Sequence, residues 1–281
     1  MTTVTDYCID IDNTKVSRRE GKDMASDLSG QTALITGGTR GIGRAIAHSL
    51  LGAGAYVAVS GRSVAKAEEL IERWGNTGRL LVIEGDVMSK DGMESMIDQT
   101  ETHFGPLDIC VLNAGGVKNT APIVEMTDEE WQYELDLNIN HTFWGTRRAL
   151  RTMLPRKSGR IICLSSVEGK HGKPRIAGYA ANKHAINGFV KGVSREVGHE
   201  GVIVVSLCPG IVVTDALLNN AGKGLGLGGV DEVIKLYTQN SAIKRAVTLE
   251  EIGEFALFLC GPHGAAFAGG TVSLDGGEAF Y

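Results

Sequence analysis

The chain has 281 residues, of which 43% are apolar and 22% are charged, and it carries a formal net charge of −5 at pH 7. This composition can bury a large core, while the weak acidic charge and the absence of a basic run give no reason to expect a nucleic-acid partner. No stretch reaches the roughly 18 apolar residues of a membrane span, and no signal-peptide segment opens the chain, so we expect a cytoplasmic protein without a membrane partner.

Residues 1–27 are polar and charged, and we expect a flexible arm there or a segment that packs on a neighbouring subunit. Residues 28–281 alternate between strand and helix patterns, which predicts one α/β domain. Strands are predicted at 31–37, 56–61, 79–85, 107–113, 160–165, 202–208 and 269–275, and helices at 41–53, 64–74, 90–104, 127–154, 177–198 and 249–260. The strands lack polar alternation, which favours a doubly wound, Rossmann-type parallel sheet of about seven strands with helices on both faces.

The first strand of this domain leads into a turn with glycines at positions 37, 38, 41 and 43, and a helix follows. Glycines let a backbone turn tightly and approach a ligand closely. The free N–H groups and positive dipole at the start of a helix favour an anion. The turn therefore predicts a site for the diphosphate of a nucleotide.

Tyr179 and Lys183 lie four residues apart in a predicted helix, so their side chains share a face. A free phenol has a pKa of about 10, and a nearby cation lowers that value towards the range of an efficient acid or base. Ser166, thirteen residues before Tyr179, could hold a carbonyl oxygen. Taken alone, the pair could also be a tyrosine ring packed on a lysine stem. Together, the three residues predict a proton donor directed at a carbonyl group.

With these motifs in place, the chain resembles the short-chain dehydrogenase/reductase family from about residue 28 to its C-terminus. The resemblance implies an oxidoreductase that interconverts a ketone and a secondary alcohol with a nicotinamide cofactor, needs no metal and forms a homotetramer. The matching pieces follow the family order: the loop 36–43, Asp86 with Val87, Asn113 to Gly115, Asn138, Ser166, Tyr179 with Lys183, Pro209 and Gly210 with Thr214, and Asp275 to Gly277.

The resemblance also implies the catalytic roles. Tyr179 would be the general acid in reduction, and Ser166 would bind the substrate oxygen. Lys183 would hold the nicotinamide ribose and lower the pKa of Tyr179. Asn138 would hold a water molecule that links Lys183 to solvent.

Two neighbours compete for these assignments. Asn140 is an alternative to Asn138, but Asn138 fits the family spacing to Phe143. Ser165 is an alternative to Ser166, but the spacing to Tyr179 favours Ser166, and strand alternation would turn Ser165 to the opposite face.

The predicted second strand ends at Ser60-Gly61-Arg62 without the carboxylate that usually binds a ribose 2′-hydroxyl and selects NAD. Arg62 and Arg40 resemble the family's basic residues that bind a 2′-phosphate, and guanidinium groups suit phosphate oxygens. We therefore expect NADP(H), with NAD(H) as the alternative. The cofactor site implied by the resemblance comprises Gly37, Thr39, Arg40, Gly41, Ile42, Gly43, Arg62, Asp86, Val87, Asn113, Ala114, Gly115, Tyr179, Lys183, Pro209, Gly210, Ile211 and Thr214.

The substrate is less well defined. Residues 143–155 and Cys208-Pro-Gly are similar to the 3-hydroxybutyrate dehydrogenase branch, whereas Gly169-Lys-His-Gly and the ending 277–281 are similar to aromatic-polyketide ketoreductases. The first branch binds a carboxylate through residues that this chain replaces with Glu168, Ile176 and Ile211. An ionised Glu168 facing the substrate would disfavour a carboxylate; alternatively, Glu168 faces solvent or pairs with Lys170.

The substrate-binding residues are therefore expected to be Ser166, Glu168 and Tyr179, acting on a neutral hydrophobic or cyclic ketone or alcohol. A mobile lid is expected at about 213–245. The alternatives are an NAD-dependent 3-hydroxy acid dehydrogenase and a non-catalytic NADP-binding sensor. An epimerase or dehydratase is a further alternative, but such relatives usually carry a larger C-terminal substrate domain, for which no residues are left here.

Overall fold

Seven parallel strands form one sheet in the computed structural model, which describes residues 6–9, 16–19, 26–220 and 229–279. Their order across the sheet is β5-β4-β3-β6-β7-β8-β9. The strands are β3 (Thr32–Ile35), β4 (Tyr56–Gly61), β5 (Leu80–Glu84), β6 (Ile109–Leu112), β7 (Gly159–Leu164), β8 (Val202–Pro209) and β9 (Thr271–Leu274). Two further strands, β1 (Asp6–Ile9) and β2 (Val16–Arg19), pair antiparallel in a separate sheet.

Helices cover both faces of the parallel sheet. They are α1 (Gly41–Gly52), α2 (Glu68–Trp74), α3 (Lys90–Phe104), α4 (Asp128–Leu135), α5 (His141–Arg156), α6 (Ala177–Val197), α7 (Asp215–Asn220), α8 (Val230–Thr238) and α9 (Leu249–Cys260). Alternate residues of one strand divide between the two layers of the core: Ile35 packs with α1 and α9, whereas Leu34 packs with α3, α5 and α6. None of the helices in the described ranges is long and apolar enough to cross a membrane.

Local sequence explains where several helices begin. Thr127 and Glu130 form a reciprocal capping box at the start of α4, and Thr248 and Glu251 form another at the start of α9. Ser89 accepts a hydrogen bond from Gly92 N at the start of α3. Each cap provides a partner for a backbone N–H that has none within its helix.

The doubly wound fold and the approximate positions of its seven strands are confirmed. The helix expected over 127–154 is instead two helices joined by a π-helical turn, Asp136–Asn140. Helices α7 and α8, within the expected lid, were not predicted, and residues 221–228 of that segment lie outside the described residues. Strands β1 and β2 lie within the expected N-terminal arm, and most of the arm is likewise outside the described part of the chain.

Strand order determines where a ligand can bind. From β3 the chain moves outwards to β4 and β5, then returns to β6 on the other side of β3. At such a switch point, the connections at the carboxyl ends of the strands separate and leave a crevice.

Candidate active site

A cleft of about 350 Å³ lies at the carboxyl ends of the strands. Most of the residues expected to bind a cofactor line it, although they come from distant parts of the sequence. They are Gly37, Thr39, Arg40, Gly41, Ile42, Arg62, Asp86, Val87, Asn113, Ala114, Gly115, Tyr179, Lys183, Pro209, Gly210 and Thr214.

The glycine turn has the geometry of a close backbone contact. Gly37 and Gly41 have positive φ angles, 62° and 52°, which residues with a side chain rarely adopt. A Cβ atom on Gly43 would lie 2.5 Å from the Gly37 carbonyl oxygen, so glycine there lets α1 pack directly against the turn. Bare backbone and a helix N-terminus thus face one end of the cleft.

Asn113 connects this turn to the neighbouring strand. Its Nδ2 donates to the carbonyl oxygens of Thr36 at 2.8 Å and Gly37 at 3.2 Å. The Thr36 hydroxyl in turn accepts hydrogen bonds from the backbone N–H groups of Asn113 and Ala114. The side chain of Asn113 therefore stabilises the base of the cleft and leaves the backbone of residues 114–115 to line it.

Three basic side chains line the cleft near the end of β4. Arg40 belongs to the glycine turn, Arg62 directly follows β4, and Lys66 lies in the short 3-10 helix Val64–Ala67. Lys66 was not predicted to line the cofactor site, although its position four residues after the basic Arg62 could have indicated it. No carboxylate stands at the end of the strand, where Ser60 and Gly61 line the cleft.

Ser166, Tyr179 and Lys183 meet at the other end of the cleft. Ser166 precedes a 3-10 turn after β7, and Tyr179 and Lys183 share one face of α6. Ser166 lies close enough to the Tyr179 hydroxyl to lower the pKa of that group. Lys183 is buried, donates from Nζ to the Leu164 carbonyl oxygen at 2.7 Å, and lies 5.4 Å from the centre of the Tyr179 ring.

Asn138 lies in the π-helical turn beside this group and is fully buried. A π-helical turn inserts one extra residue into a helix and often occurs at a functional site. The point where a Cβ on Gly115 would lie is 2.9 Å from Asn138 Oδ1 and 3.0 Å from Lys183 Nζ, so the two side chains approach each other across Gly115. Asn140 instead donates to Asp136 at 2.6 Å, which favours Asn138 over its competitor.

Ser165 has a structural contact of its own. Its hydroxyl donates to the backbone carbonyl of Lys183 at 3.0 Å and is buried. That bond holds α6 against the end of β7. Ser166 is therefore the serine that reaches Tyr179, although both serines border the cleft.

The electrostatic expectation for Tyr179 was wrong in direction. Burial raises the pKa of Tyr179 to about 12, although the hydrogen bond from Ser166 opposes that shift. Burial also lowers the pKa of Lys183 to about 8. In both groups the largest effect is desolvation, which disfavours the charged form. The phenol is therefore protonated throughout the neutral range.

Glu168 does not line the cleft, contrary to expectation. The residue is 5% exposed, and its Oε1 lies 2.9 Å from Lys173 Nζ. The expected alternative partner, Lys170, donates to Ser273 at 2.9 Å instead. Glu168 contacts the site through its backbone N–H, which donates to the Ser166 hydroxyl at 3.1 Å. It therefore supports the serine and does not face a substrate.

Lys173 connects three segments around the site. Besides Glu168, it lies 3.2 Å from Glu278 Oε1 and 4.3 Å from the centre of the Tyr237 ring in α8. We call Lys173, Glu168, Glu278 and Tyr237 the Lys173 cluster. The cluster joins the loop before α6 to the C-terminal segment and to one helix of the expected lid.

Two other expected cofactor residues are also placed away from the cleft. Gly43 lies behind the turn, against Gly37, and the Ile211 carbonyl accepts a hydrogen bond from Val247 N at 3.0 Å. Conversely, Tyr133 and Leu137 line the cleft near Tyr179 and were not predicted. They are four positions apart, Tyr133 in α4 and Leu137 in the π-helical turn that follows it, so both face the cleft from the same side.

The chain is similar to known proteins over most of its length. The short chain dehydrogenase family model matches residues 31–234. The chain is 33% identical to 3beta-hydroxysteroid dehydrogenase 2 of Eggerthella lenta, covering 90% of this chain and 96% of that protein. It is 32% identical to the 3-oxoacyl-(acyl-carrier-protein) reductase of Escherichia coli, covering 89% of this chain and 98% of that protein.

A solved structure is also similar. It is an actinorhodin polyketide ketoreductase variant with NADPH, which has a TM-score of 0.83 and 30% sequence identity. The similarity covers 92% of this chain and all of that one.

Proposed function

The chain belongs to the short-chain dehydrogenase family, and on that premise we propose that it transfers hydride between NADP(H) and a neutral, hydrophobic or cyclic ketone or its secondary alcohol. The family acts on carbonyl and hydroxyl groups. The observation that carries the proposal is the meeting of Ser166, Tyr179 and Lys183 at one end of a cleft whose other end holds Arg40 and Arg62.

The residues present fit a dinucleotide with a 2′-phosphate. Gly37 and Gly41 provide bare backbone for the diphosphate, and Asp86 with Val87 would border the adenine. Arg40, Arg62 and Lys66 would surround the 2′-phosphate, whose charge no carboxylate at the end of β4 would repel. When bound, the cofactor supplies or accepts the hydride.

The chain's own residues would manage the proton. Tyr179 would donate its phenolic proton to the carbonyl oxygen in reduction, and the raised pKa of its hydroxyl keeps that proton available at neutral pH. Ser166, which lies beside the Tyr179 hydroxyl, would donate to the same oxygen and stabilise its developing charge. Lys183 would orient the ribose, and Asn138 would hold a water molecule through which Tyr179 and Lys183 are reprotonated.

The substrate side of the site favours an apolar ketone. Tyr133 and Leu137 line the cleft near Tyr179, and the described lid helices expose Leu218 and Leu236. Lys173, in the loop before α6, is paired with Glu168 and Glu278, so it offers little to a carboxylate. The named relatives act on a hydroxysteroid, a 3-oxoacyl group and a polyketide, which supports a largely hydrocarbon substrate.

A substrate panel tests this proposal. NADPH oxidation would be followed with steroid ketones, 3-oxoacyl thioesters, bicyclic aromatic ketones and short keto acids, and repeated with NADH. We expect the best kcat/KM for NADPH with a neutral ketone. A best kcat/KM for short keto acids, or a clear preference for NADH, would contradict it. No turnover on any carbonyl, with NADPH bound, would favour a non-catalytic sensor.

The domain and assembly assignments belong to the same proposal. Residues 28–281 would form the catalytic unit, with 213–245 closing over the substrate. A homotetramer is supported by Phe143, which is exposed on α5 and packs edge-to-face with Phe189 of α6. Light scattering on the wild type and on Phe143→Asp tests this assembly, and a monomeric wild type would contradict it.

A further inference from the structure

Glu134 is a buried carboxyl group that the proposed mechanism does not use. It lies in the last turn of α4 and is 1% exposed. Its Oε1 accepts a hydrogen bond from Lys118 N at 2.9 Å, and its Oε2 has no hydrogen-bonding partner among the described residues. A buried carboxyl group with an unpartnered oxygen is costly to keep, so its position calls for a physical role.

The unpartnered oxygen faces the start of α6, the helix that carries Tyr179 and Lys183. A Cβ atom on Gly178 would lie 2.7 Å from Glu134 Oε2, and Gly178 is the residue directly before Tyr179. The backbone carbonyl of Glu134 also accepts a hydrogen bond from Asn138 Nδ2 at 2.9 Å. Glu134 therefore contacts Asn138 itself and the residue before Tyr179, and it does not line the main cleft.

A ligand site does not explain this arrangement. Glu134 borders a second cavity with Met126, Arg175 and Ile176, but the cavity measures only about 10 Å³. That volume holds no more than one water molecule. The role that remains for the Glu134 carboxyl group is an effect on the residues that surround it.

The charges around Glu134 leave its own charge largely uncompensated. On α4 it faces the carboxylate of Glu130, and from the preceding loop it receives only the backbone N–H of Lys118, whose ammonium lies over the Tyr133 ring. Within the described ranges, no cation lies within ion-pair distance of Glu134, although Arg175 borders the same cavity. Glu168, in contrast, has Lys173 at 2.9 Å.

We propose that Glu134 is a positioning residue whose buried carboxylate keeps the Tyr179 hydroxyl protonated, and so extends carbonyl reduction to higher pH while delaying alcohol oxidation. The inference rests on the proposed role of Tyr179 as the proton donor. A negative charge close to a phenol opposes formation of a second negative charge. The equilibrium between ketone and alcohol is unchanged, and only the pH range of each direction moves.

The direction of the titration agrees with this geometry. Burial raises the pKa of Tyr179, the Ser166 hydroxyl opposes that shift, and the charges of Glu168, Glu134 and Cys208 add to it. Burial also raises the pKa of Glu134 above its usual range, while the Lys118 N–H opposes that shift. At the alkaline pH where the Tyr179 phenol loses its proton, the Glu134 carboxyl group is ionised.

The test replaces Glu134 with glutamine, which keeps the shape and removes the charge. The Tyr179 phenol is followed by NMR of 13C-labelled tyrosine, assigned through the signal that Tyr179→Phe lacks. We expect the Tyr179 titration to fall by about one pH unit in Glu134→Gln, which is about a tenfold larger ionised fraction at a given pH below the midpoint. The pH limits of ketone reduction and alcohol oxidation should fall by a similar amount.

Glu129→Gln is the matched control, because it removes the same charge from the exposed first turn of α4. Glu129→Gln should leave the pH of the Tyr179 titration unchanged. An unchanged Tyr179 titration in Glu134→Gln, with the fold intact by circular dichroism, would overturn the inference. If the Glu134→Gln protein does not fold, Glu134→Met replaces it, because methionine fills a similar volume without charge. The same two outcomes then apply to the Tyr179 titration.

This experiment is separable from the proposed function. The NMR titration needs neither substrate nor turnover, so it reports on the two groups even if Tyr179 is not the catalytic acid. Undiminished turnover in Tyr179→Phe would instead remove the proposed function and leave the measured coupling standing.

Discussion

Asn138 holds Gly116 by both ends of its amide group. Its Oδ1 accepts a hydrogen bond from Gly116 N at 3.1 Å, and its Nδ2 donates to Gly116 O at 3.0 Å. This reciprocal pair attaches the loop after β6 to the π-helical turn between α4 and α5. The same side chain lies beside Lys183, so one residue both orders the wall of the cleft and contacts the proposed proton path.

The pair leads to the first prediction. Asn138→Ala removes both of these bonds and the bond from Nδ2 to the Glu134 carbonyl, and leaves buried polar groups unsatisfied, so we expect a loss of about 1–3 kcal/mol in the free energy of unfolding. We also expect a fall in kcat, because the site loses the amide that would hold the water molecule for reprotonation of Tyr179 and Lys183. Urea unfolding and steady-state kinetics measure the two effects. Asn140→Ala is the control, and an equal loss of kcat there would contradict the assignment.

The second prediction concerns cofactor choice. Arg62→Asp replaces a hydrogen-bonding cation with a repelling charge, so we expect the KM for NADPH to rise by about 10- to 100-fold, while the KM for NADH changes little. Lys66→Ala should give a smaller change in the same direction. Arg73→Asp makes the same charge change on exposed α2, outside the cleft lining, and should leave the preference intact. An unaltered NADPH preference in Arg62→Asp would remove Arg62 from the phosphate site.

The third prediction concerns the proton donor. Tyr179→Phe removes the phenolic proton, and general acid catalysis contributes about 10²–10⁴ in rate, so kcat should fall by at least about 100-fold. Nucleotide binding, measured by fluorescence, should change little, since Tyr179 contributes only part of the cleft wall. Tyr56→Phe deletes a hydroxyl from a surface ring packed on Phe104 and is the matched control. Retained turnover in Tyr179→Phe would refute the mechanism.

The fourth prediction concerns stability against pH in the nucleotide-free protein. Burial lowers the pKa of Lys183 from 10.5 to about 8, so between those values the unfolded chain binds more protons than the folded one. Stability therefore gains a contribution as pH rises through this window. Burial raises the pKa of Tyr179 from 10.0 to about 12, so above pH 10 the folded chain binds more protons and stability falls.

Thermal unfolding across pH 7–12 measures both slopes. Lys183→Met should remove the rise that begins near pH 8, and Tyr179→Phe should weaken the fall above pH 10. Lys191→Met, on the exposed side of the same helix, is the control. A stability profile that is identical in Lys183→Met and the wild type would contradict the buried, proton-poor state of Lys183.

Much of the fold could be read from local patterns. Uninterrupted apolar strands, glycines at positions 37, 41 and 43, and a helix after each strand specify a doubly wound sheet, and that sheet brings Gly37 and Lys183 to one cleft. The roles assigned to Ser166 and Tyr179 stay predictions.

Two of the wrong expectations share a cause, because each depends on segments that the fold brings together from distant parts of the sequence. Glu168 pairs with Lys173, which also binds Glu278, and no local spacing reports that the C-terminal segment returns to this loop. The pKa of Tyr179 was predicted from one neighbouring cation, whereas burial by several elements decides its direction. The π-helical turn at Asp136–Asn140 continues the helical periodicity closely enough to be invisible in the sequence.

The Lys173 cluster has a consequence for the order of events during folding. The half of the sheet that carries the glycine turn and Arg62 is built from β3 to β6, early in the chain. The loop that carries Ser166 acquires its final support only when Glu278 arrives from the far side of β9. The half of the cleft that carries the glycine turn can therefore form from the earlier strands alone, whereas the support of the Ser166 loop also needs the segment that follows β9.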